Sequence, residues 1–283
     1  MNLSDTSKES LVNRSMPFEL SMLNEKTSNY ILKPSPQTNI YHISYTPQTK
    51  EVSLFFWGCN FCCLGCLSKK EIRNYLLPEN IHLFGEDSVE IAQSPEQFLN
   101  ISDVLRILKD LDIQTVLFEG QEPSLDSSLP ELAKLIHSEF KTQNILCSNI
   151  NKLISLDDID RIQLSLKAIT DSLHMSYTGK SNKSVLHNFK KLYMAGKDLS
   201  ITSVLIPDYI EQDEIEKISK FISNIDRDLP FNILPYFKAG KNQWRCPNTN
   251  EMEAAELAAK KYLSTVYAWR GNEKIKYDVM KVF

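Results

Sequence analysis

Residues 54–69 read "LFFWGCNFCCLGCLSK". Cys59, Cys62, Cys63 and Cys66 fall within eight residues, directly after Val52–Trp57, an apolar run of strand character. A loop that short, with at most ~3.6 Å of reach per residue, wraps its thiols around one small object. Four buried cysteines serving as small hydrophobes would not be expected to crowd into one loop. A structural zinc site would take Cys59–x2–Cys62 and Cys63–x2–Cys66, but zinc sites usually draw their ligand pairs from separated segments. The spacings of four-thiolate electron-transfer clusters do not match either. The reading that fits uses Cys59–x3–Cys63–x2–Cys66 and leaves Cys62 spare. A four-iron cluster held by three thiolates keeps one iron open, and an open position is what a catalytic metal site needs.

The rest of the composition is ordinary for a globular chain. It has 283 residues, 42% of them apolar, and a net charge of −4. That charge argues against a nucleic-acid-coating surface. No apolar run approaches the ~20 residues of a membrane span, so no membrane partner is expected. The start, "MNLSDTSKES", carries no charged n-region followed by an apolar h-region. A cytoplasmic location is therefore expected. Thiols stay reduced there, and a cysteine cluster is metal-binding or catalytic rather than disulfide-bonded.

Residues 1–36 are polar and are expected to form a short extension ahead of a core domain over 37–283. In the core, strand-like and helix-like segments alternate. Strands are expected at Val52–Trp57, Thr115–Phe118, Asn144–Cys147, Ile162–Leu166, Ile201–Ile206 and Phe231–Leu234. Helices are expected at Asp103–Leu111 with Ser102 as N-cap, Pro130–Phe140, Val185–Ala195, Glu214–Ile225 and Glu251–Val266. Six strands alternating with helices imply parallel strands and crossover connections, an α/β sheet or barrel. Sites in such folds collect after the carboxyl ends of strands, which is where the cysteine loop falls.

"CNFCCLGC" resembles the CxxxCxxC signature of radical S-adenosylmethionine (SAM) enzymes, and "GCNF-C-C" is most similar to the branch containing pyruvate formate-lyase activating enzyme. The resemblance covers roughly Val52–Val266. It implies a partial (β/α)6 TIM-like barrel and a 4Fe–4S cluster on Cys59, Cys63 and Cys66. It also implies an oxygen-free chemistry in which SAM is reductively cleaved to a 5′-deoxyadenosyl radical that abstracts hydrogen from a substrate. "VLFEGQEP" resembles the family's GGEP motif, with Gly120, Gln121, Glu122 and Pro123; the glutamate there meets the SAM amino group, a charge-assisted contact. By the same resemblance the cofactor lies against Phe61, Gly65, Asn149, Ser165 and Lys167. His174, Thr178, Gly179 and Asn182 stand in matching places of the later stretch "HMSYTGKSN". Flavodoxin or ferredoxin is the implied electron donor, and a partner protein is one possible substrate.

Several positions depart from the family pattern. Gly65 stands where an aromatic residue usually packs near the adenine, so backbone or another side chain must make that contact. Ser165 replaces the Asp of a D-x-K motif while Lys167 is kept. Thr202 stands for a basic residue and Phe237 for a His. His174 reads either as a proton carrier or as a helix-start or surface histidine. Cys147 reads as a small core residue, and Cys246 as a structural thiol. Three functions stay open: a radical SAM enzyme with another substrate, a glycyl-radical enzyme activator, and a non-catalytic iron–sulfur or zinc protein on the same fold.

Overall fold

A computed structural model describes residues 35–85 and 91–283. Of the expected 1–36 extension, only Ser35 and Pro36 are among them; the rest lies outside the described residues. Both touch helix α2 (Ile101–Leu108): Ser102 N–H donates to Ser35 Oγ (3.0 Å) and Ile101 N–H to the Pro36 carbonyl (3.0 Å).

The six expected strands form, as β2 (Glu51–Phe56), β3 (Thr115–Gly120), β4 (Gln143–Ser148), β5 (Arg161–Ser165), β6 (Asp198–Leu205) and β7 (Phe231–Pro235). They pair in parallel in chain order. Helices α3 (Leu129–Phe140), α5 (Lys183–Met194) and α6 (Gln212–Ser223) make crossovers between them, and α7 (Thr249–Lys260) follows β7. The sheet runs further than expected. A strand β8 (Val266–Ala268) adds to β7 in parallel, while β1 (Ile40–Thr46) pairs antiparallel with β2 and β9 (Met280–Lys281) with β1. The order β8-β7-β6-β5-β4-β3-β2-β1-β9 does not close. The result is a partial barrel.

Alternation along the strands defines two surfaces. In β3, Val116 and Phe118 are fully buried beneath the helices, whereas Leu117 and Glu119 keep partial exposure on the concave, lumen side. In β5, Ile162 and Leu164 are buried and Gln163 and Ser165 face the lumen. Cys147 follows the same rule: it lies between buried Leu146 and Ser148 and so faces the lumen, which corrects the expectation of a core residue.

Some expected boundaries move, and one helix is added. The N-cap of α2 is Asn100, whose side chain accepts from Asp103 N–H, because Ser102 is already inside the first turn. The last helix ends at Lys260, and Val266 opens β8. A short helix α4 (Asp171–Thr178) precedes α5, and its weakly amphipathic sequence gave no periodic signal.

A buried polar brace joins β4 to its neighbours. Asn144 Nδ2 donates to the carbonyls of Ala133 (3.0 Å) and Asp158 (2.8 Å), and Asn144 Oδ1 accepts from Thr142 Oγ1 (3.0 Å). Replacing Asn144 with Ala strands these buried partners. The expected cost is about 1–3 kcal/mol of stability, read as a lowered urea midpoint with an unchanged m-value.

Candidate active site

The cysteine loop leaves β2 at Trp57 and lies across the carboxyl ends of β3 and β4. Cys59, Cys63 and Cys66 are half-buried, and Cys62 is exposed. Phe61 N–H donates to Cys59 Sγ (3.3 Å). The Phe61 ring is buried and meets His174 edge-on at 5.4 Å. Burial pushes the Cys59 thiol up, and pushes Cys63 up to about 12; the nearby Lys167 ammonium opposes both shifts. These thiols therefore ionise only against a strong positive charge, which metal ions supply. Among the described residues, no three Cys, His, Asp or Glu side chains are grouped so as to hold one metal ion. The donor set offered by the loop, three half-buried thiols, fits a cluster that spreads its ligands over several irons.

Four contacts hold the loop from the strand ends. Gln121 N–H donates to the Phe56 carbonyl (3.0 Å), and Gln121 Oε1 accepts from Gly58 N–H (3.1 Å). Glu122 N–H donates to the Gly58 carbonyl (3.0 Å). Asn149 Nδ2 donates to Asn60 Oδ1 (2.7 Å) and stands 3.8 Å from Cys59 Sγ. Gln121 thus fills its non-glycine position with a contact of its own. Gly120 cannot be anything else. Its φ is +100°, and a Cβ there would lie 2.8 Å from both the N and the O of Phe56.

Glu122 is buried and its carboxylate is fully engaged. Oε1 accepts from Ser148 Oγ (2.6 Å), Ser124 Oγ (2.5 Å) and Ser124 N–H (3.3 Å), and Oε2 from Asn149 N–H (2.8 Å). Burial raises its pKa, and these hydrogen bonds act against the rise. Pro123 starts a 3-10 turn, Pro123–Leu125, that brings Ser124 back to this carboxylate. Glu122 is therefore also the joint between β3 and β4, a role not visible in the GQEP motif alone.

The loop is held on its other side by α4 and by the segment after β7. Cys62 N–H donates to the Thr178 carbonyl (2.8 Å) and Leu64 N–H to the Tyr177 carbonyl (3.1 Å). A Cβ on Gly65 would come within 2.7 Å of Tyr236 Cε2 and 3.4 Å of both Trp244 Cζ3 and Tyr177 Oη. Rings from distant parts of the chain thus stand against position 65. His174 sits in the first turn of α4, as a helix-start histidine would, but it is fully buried rather than on the surface, with Nδ1 2.7 Å from the Lys180 carbonyl. Burial lowers its pKa and keeps it neutral.

On the lumen wall, Ser165 ends β5 and Lys167 follows it. Thr202 is nearly buried, and its Oγ1 accepts from Gln163 Nε2 (3.3 Å). Phe237 packs against Phe84 at 4.6 Å, and Phe84 against Tyr75 at 5.1 Å. Cys246 is exposed. The residues that the sequence reading missed are Asn60 and Ser124, small polar partners with no motif spacing.

An open α/β barrel with a three-thiol loop at the carboxyl ends of its strands defines a metallocofactor enzyme. Residues 54–222, more than half of the sequence, match the Radical SAM superfamily, and the chain belongs to it. Members of that superfamily use a 4Fe–4S cluster and SAM, and this chain is an enzyme of that class. A Methanocaldococcus jannaschii protein provisionally named a glycyl-radical enzyme activating enzyme is 29% identical over 232 residues, covering 79% of this chain and 82% of that protein. Pyruvate formate-lyase-activating enzyme of Staphylococcus aureus is 34% identical over 87 residues, 30% of this chain and 35% of its own length. In fold, the chain is similar to Streptococcus suis SuiB bound to its precursor peptide (TM-score 0.53, 16% identity, 75% of this chain and 46% of that one). It is also similar to a radical SAM methyltransferase from Sphaerobacter thermophilus (TM-score 0.52, 12% identity, 80% and 68%). Among the described residues, no helix is long and apolar enough to cross a membrane.

Two sets of substitutions test the site. Cys59→Ala, Cys63→Ala and Cys66→Ala are each expected to lose iron and visible absorbance after anaerobic reconstitution, while exposed Cys62→Ala keeps both. Loss of the cluster in Cys62→Ala with retention in Cys63→Ala would reverse the assignment. Glu122→Gln turns an amide N–H2 toward donors that now face a carboxylate. It should weaken SAM binding roughly ten- to a hundredfold and also lower the melting temperature, with iron content preserved; unchanged SAM affinity by equilibrium dialysis would remove Glu122 from the cofactor.

Proposed function

We propose that this radical SAM enzyme acts on a substrate other than the glycine of pyruvate formate-lyase: another protein side chain, or a small molecule that reaches the lumen. When bound, the cluster and SAM supply a carbon radical able to abstract a hydrogen atom. Cys59, Cys63 and Cys66 would hold the cluster. Glu122 would orient the SAM amino group, Lys167 would lend positive charge beside the thiols, and Asn149 would fix Cys59. Gly65, Tyr236 and Trp244 would close the loop face against water. Flavodoxin or ferredoxin would deliver the electron, in a reducing, oxygen-poor cytoplasm.

The observation that carries the substrate reading is Phe237. It stands where the resemblance places a histidine, and its ring is engaged by Phe84, so no donor or charge reaches the lumen from that point. Ser165 and Thr202 likewise offer neutral hydroxyls. A second reading, radical installation on a glycine of a partner enzyme, is favoured by the name of the Methanocaldococcus jannaschii relative.

Electron paramagnetic resonance separates the two. The reconstituted protein with SAM and dithionite is expected to release 5′-deoxyadenosine and to give no glycyl-radical doublet when pyruvate formate-lyase is added. A doublet would establish the second reading, and the absence of 5′-deoxyadenosine would remove both.

A further inference from the structure

The half-barrel encloses a second space beside the cofactor loop. A cavity of about 310 Å³ lies between the lumen faces of β2 and β3 and the residues Ser68–Leu76 that follow the third cysteine. The covering segment is tied down. Ser68 Oγ donates to the Gly120 carbonyl (3.2 Å), Asn74 Nδ2 to Ser44 Oγ (2.8 Å), Tyr75 Oη to the Leu67 carbonyl (2.8 Å), and Tyr41 Oη to the Ile72 carbonyl. The volume suits one side chain or the end of a small molecule.

Glu119 forms part of the cavity wall. Its carboxyl is withdrawn from bulk solvent, and the surface it retains opens on this space. Ser53 gives it one side-chain hydrogen bond, and the one charge acting on it is Glu51, which repels. An ionised carboxylate has about four acceptor sites, so most of its capacity is unfilled, and among the described residues no cation pairs with it. A buried carboxylate without a counter-charge is unfavourable unless something else supplies one. The other charged groups on the cavity are Glu51, Glu71 and Arg73, so negative charge predominates. The two lumen positions where the resemblance expects basic groups carry Thr202 and Phe237, both already engaged with Gln163 and Phe84.

We propose that this cavity receives the positively charged end of the substrate, an ammonium or guanidinium group, and that Glu119 is its counter-ion. This rests on the reading that the lumen is the substrate chamber of a SAM-cleaving enzyme. The cofactors would be held beside the cysteine loop, and Gly120, shared by the cavity wall and the GQEP turn, places the two spaces side by side. The substrate's charged end would sit under Ser68–Leu76 while its reacting carbon points toward the cofactor.

The test uses three probes of one size on the reconstituted holoenzyme: butylammonium, butanol and butyrate, with dissociation constants from saturation-transfer NMR at pH 7.5. Butylammonium is expected to bind roughly tenfold or more tighter than butanol, with butyrate weakest. Glu119→Gln should make butylammonium and butanol equal while keeping butanol binding, SAM affinity and iron content. A second measurement needs no variant. Burial raises the Glu119 carboxyl to about 6, so the carboxylate and the preference are present above that pH and are lost as pH falls from 7.5 to 5. Of the other groups facing it, Tyr41, Tyr75 and Cys147 have raised pKa values and stay neutral over this range. Arg73 and Glu71 face the same space, and Glu51, itself raised by burial, is separated by the Glu119→Gln arm. Equal binding of butylammonium and butanol by the wild type, or a preference that survives Glu119→Gln, overturns the proposal. A preference seen in a protein that releases no 5′-deoxyadenosine overturns the enzyme reading instead and leaves the charge assignment standing.

Discussion

The structure depends on how closely β3 approaches the backbone of β2 at their carboxyl ends. Gly120 leaves no room for a Cβ against Phe56, and the next two residues hold Gly58 by its N–H and its carbonyl. Those contacts set the angle at which the chain leaves β2, and hence where Cys59, Cys63 and Cys66 stand. Backbone donors and acceptors in a buried turn must be satisfied somewhere, and here they are satisfied by the motif that also carries Glu122. The cysteine loop and the GQEP turn are therefore one mechanical unit rather than two adjacent motifs.

Two glutamates three residues apart, one buried and one half-buried, illustrate how neighbours decide a carboxylate's role. Glu122 finds two serine hydroxyls and two backbone N–H groups. Its charge is stabilised locally, and it can stiffen the site. Glu119, on the lumen side of β3, finds one serine and a repelling glutamate. Glu122 lies past the end of β3, beyond Gly120 with its φ of +100°, so the turn rather than the strand's pleat sets its surroundings.

The loop after β7 completes the site from far along the chain. Tyr236 is buried, hydrogen-bonded through its hydroxyl to the Ala239 carbonyl (2.7 Å), and Trp244 stacks on Tyr209 at 4.2 Å. These rings stand against Gly65, so the smallest residue of the cysteine motif is also the place where the half-barrel's two ends meet the loop. Enlarging residue 65 would push that aromatic wall away from the thiols.

The sequence by itself determined the six parallel strands, the helices between them and the three-thiol spacing, because each is a local, one-dimensional signal. Apolar period marks helix or strand, and residue spacing along one short loop limits which thiols can share an object. It did not reveal β1, β8 and β9 as members of the sheet, nor α4, whose apolar face is too weak to read. Tertiary structure alone decided which strand face is the lumen, and so turned Cys147 from a core residue into a lumen residue; it also buried His174 in the first turn of α4. It also decided that Asn149 meets Asn60 and that Tyr236 stands over Gly65. Those partners lie 89 and 171 residues apart, and no local pattern records a contact that exists only once the sheet has curved.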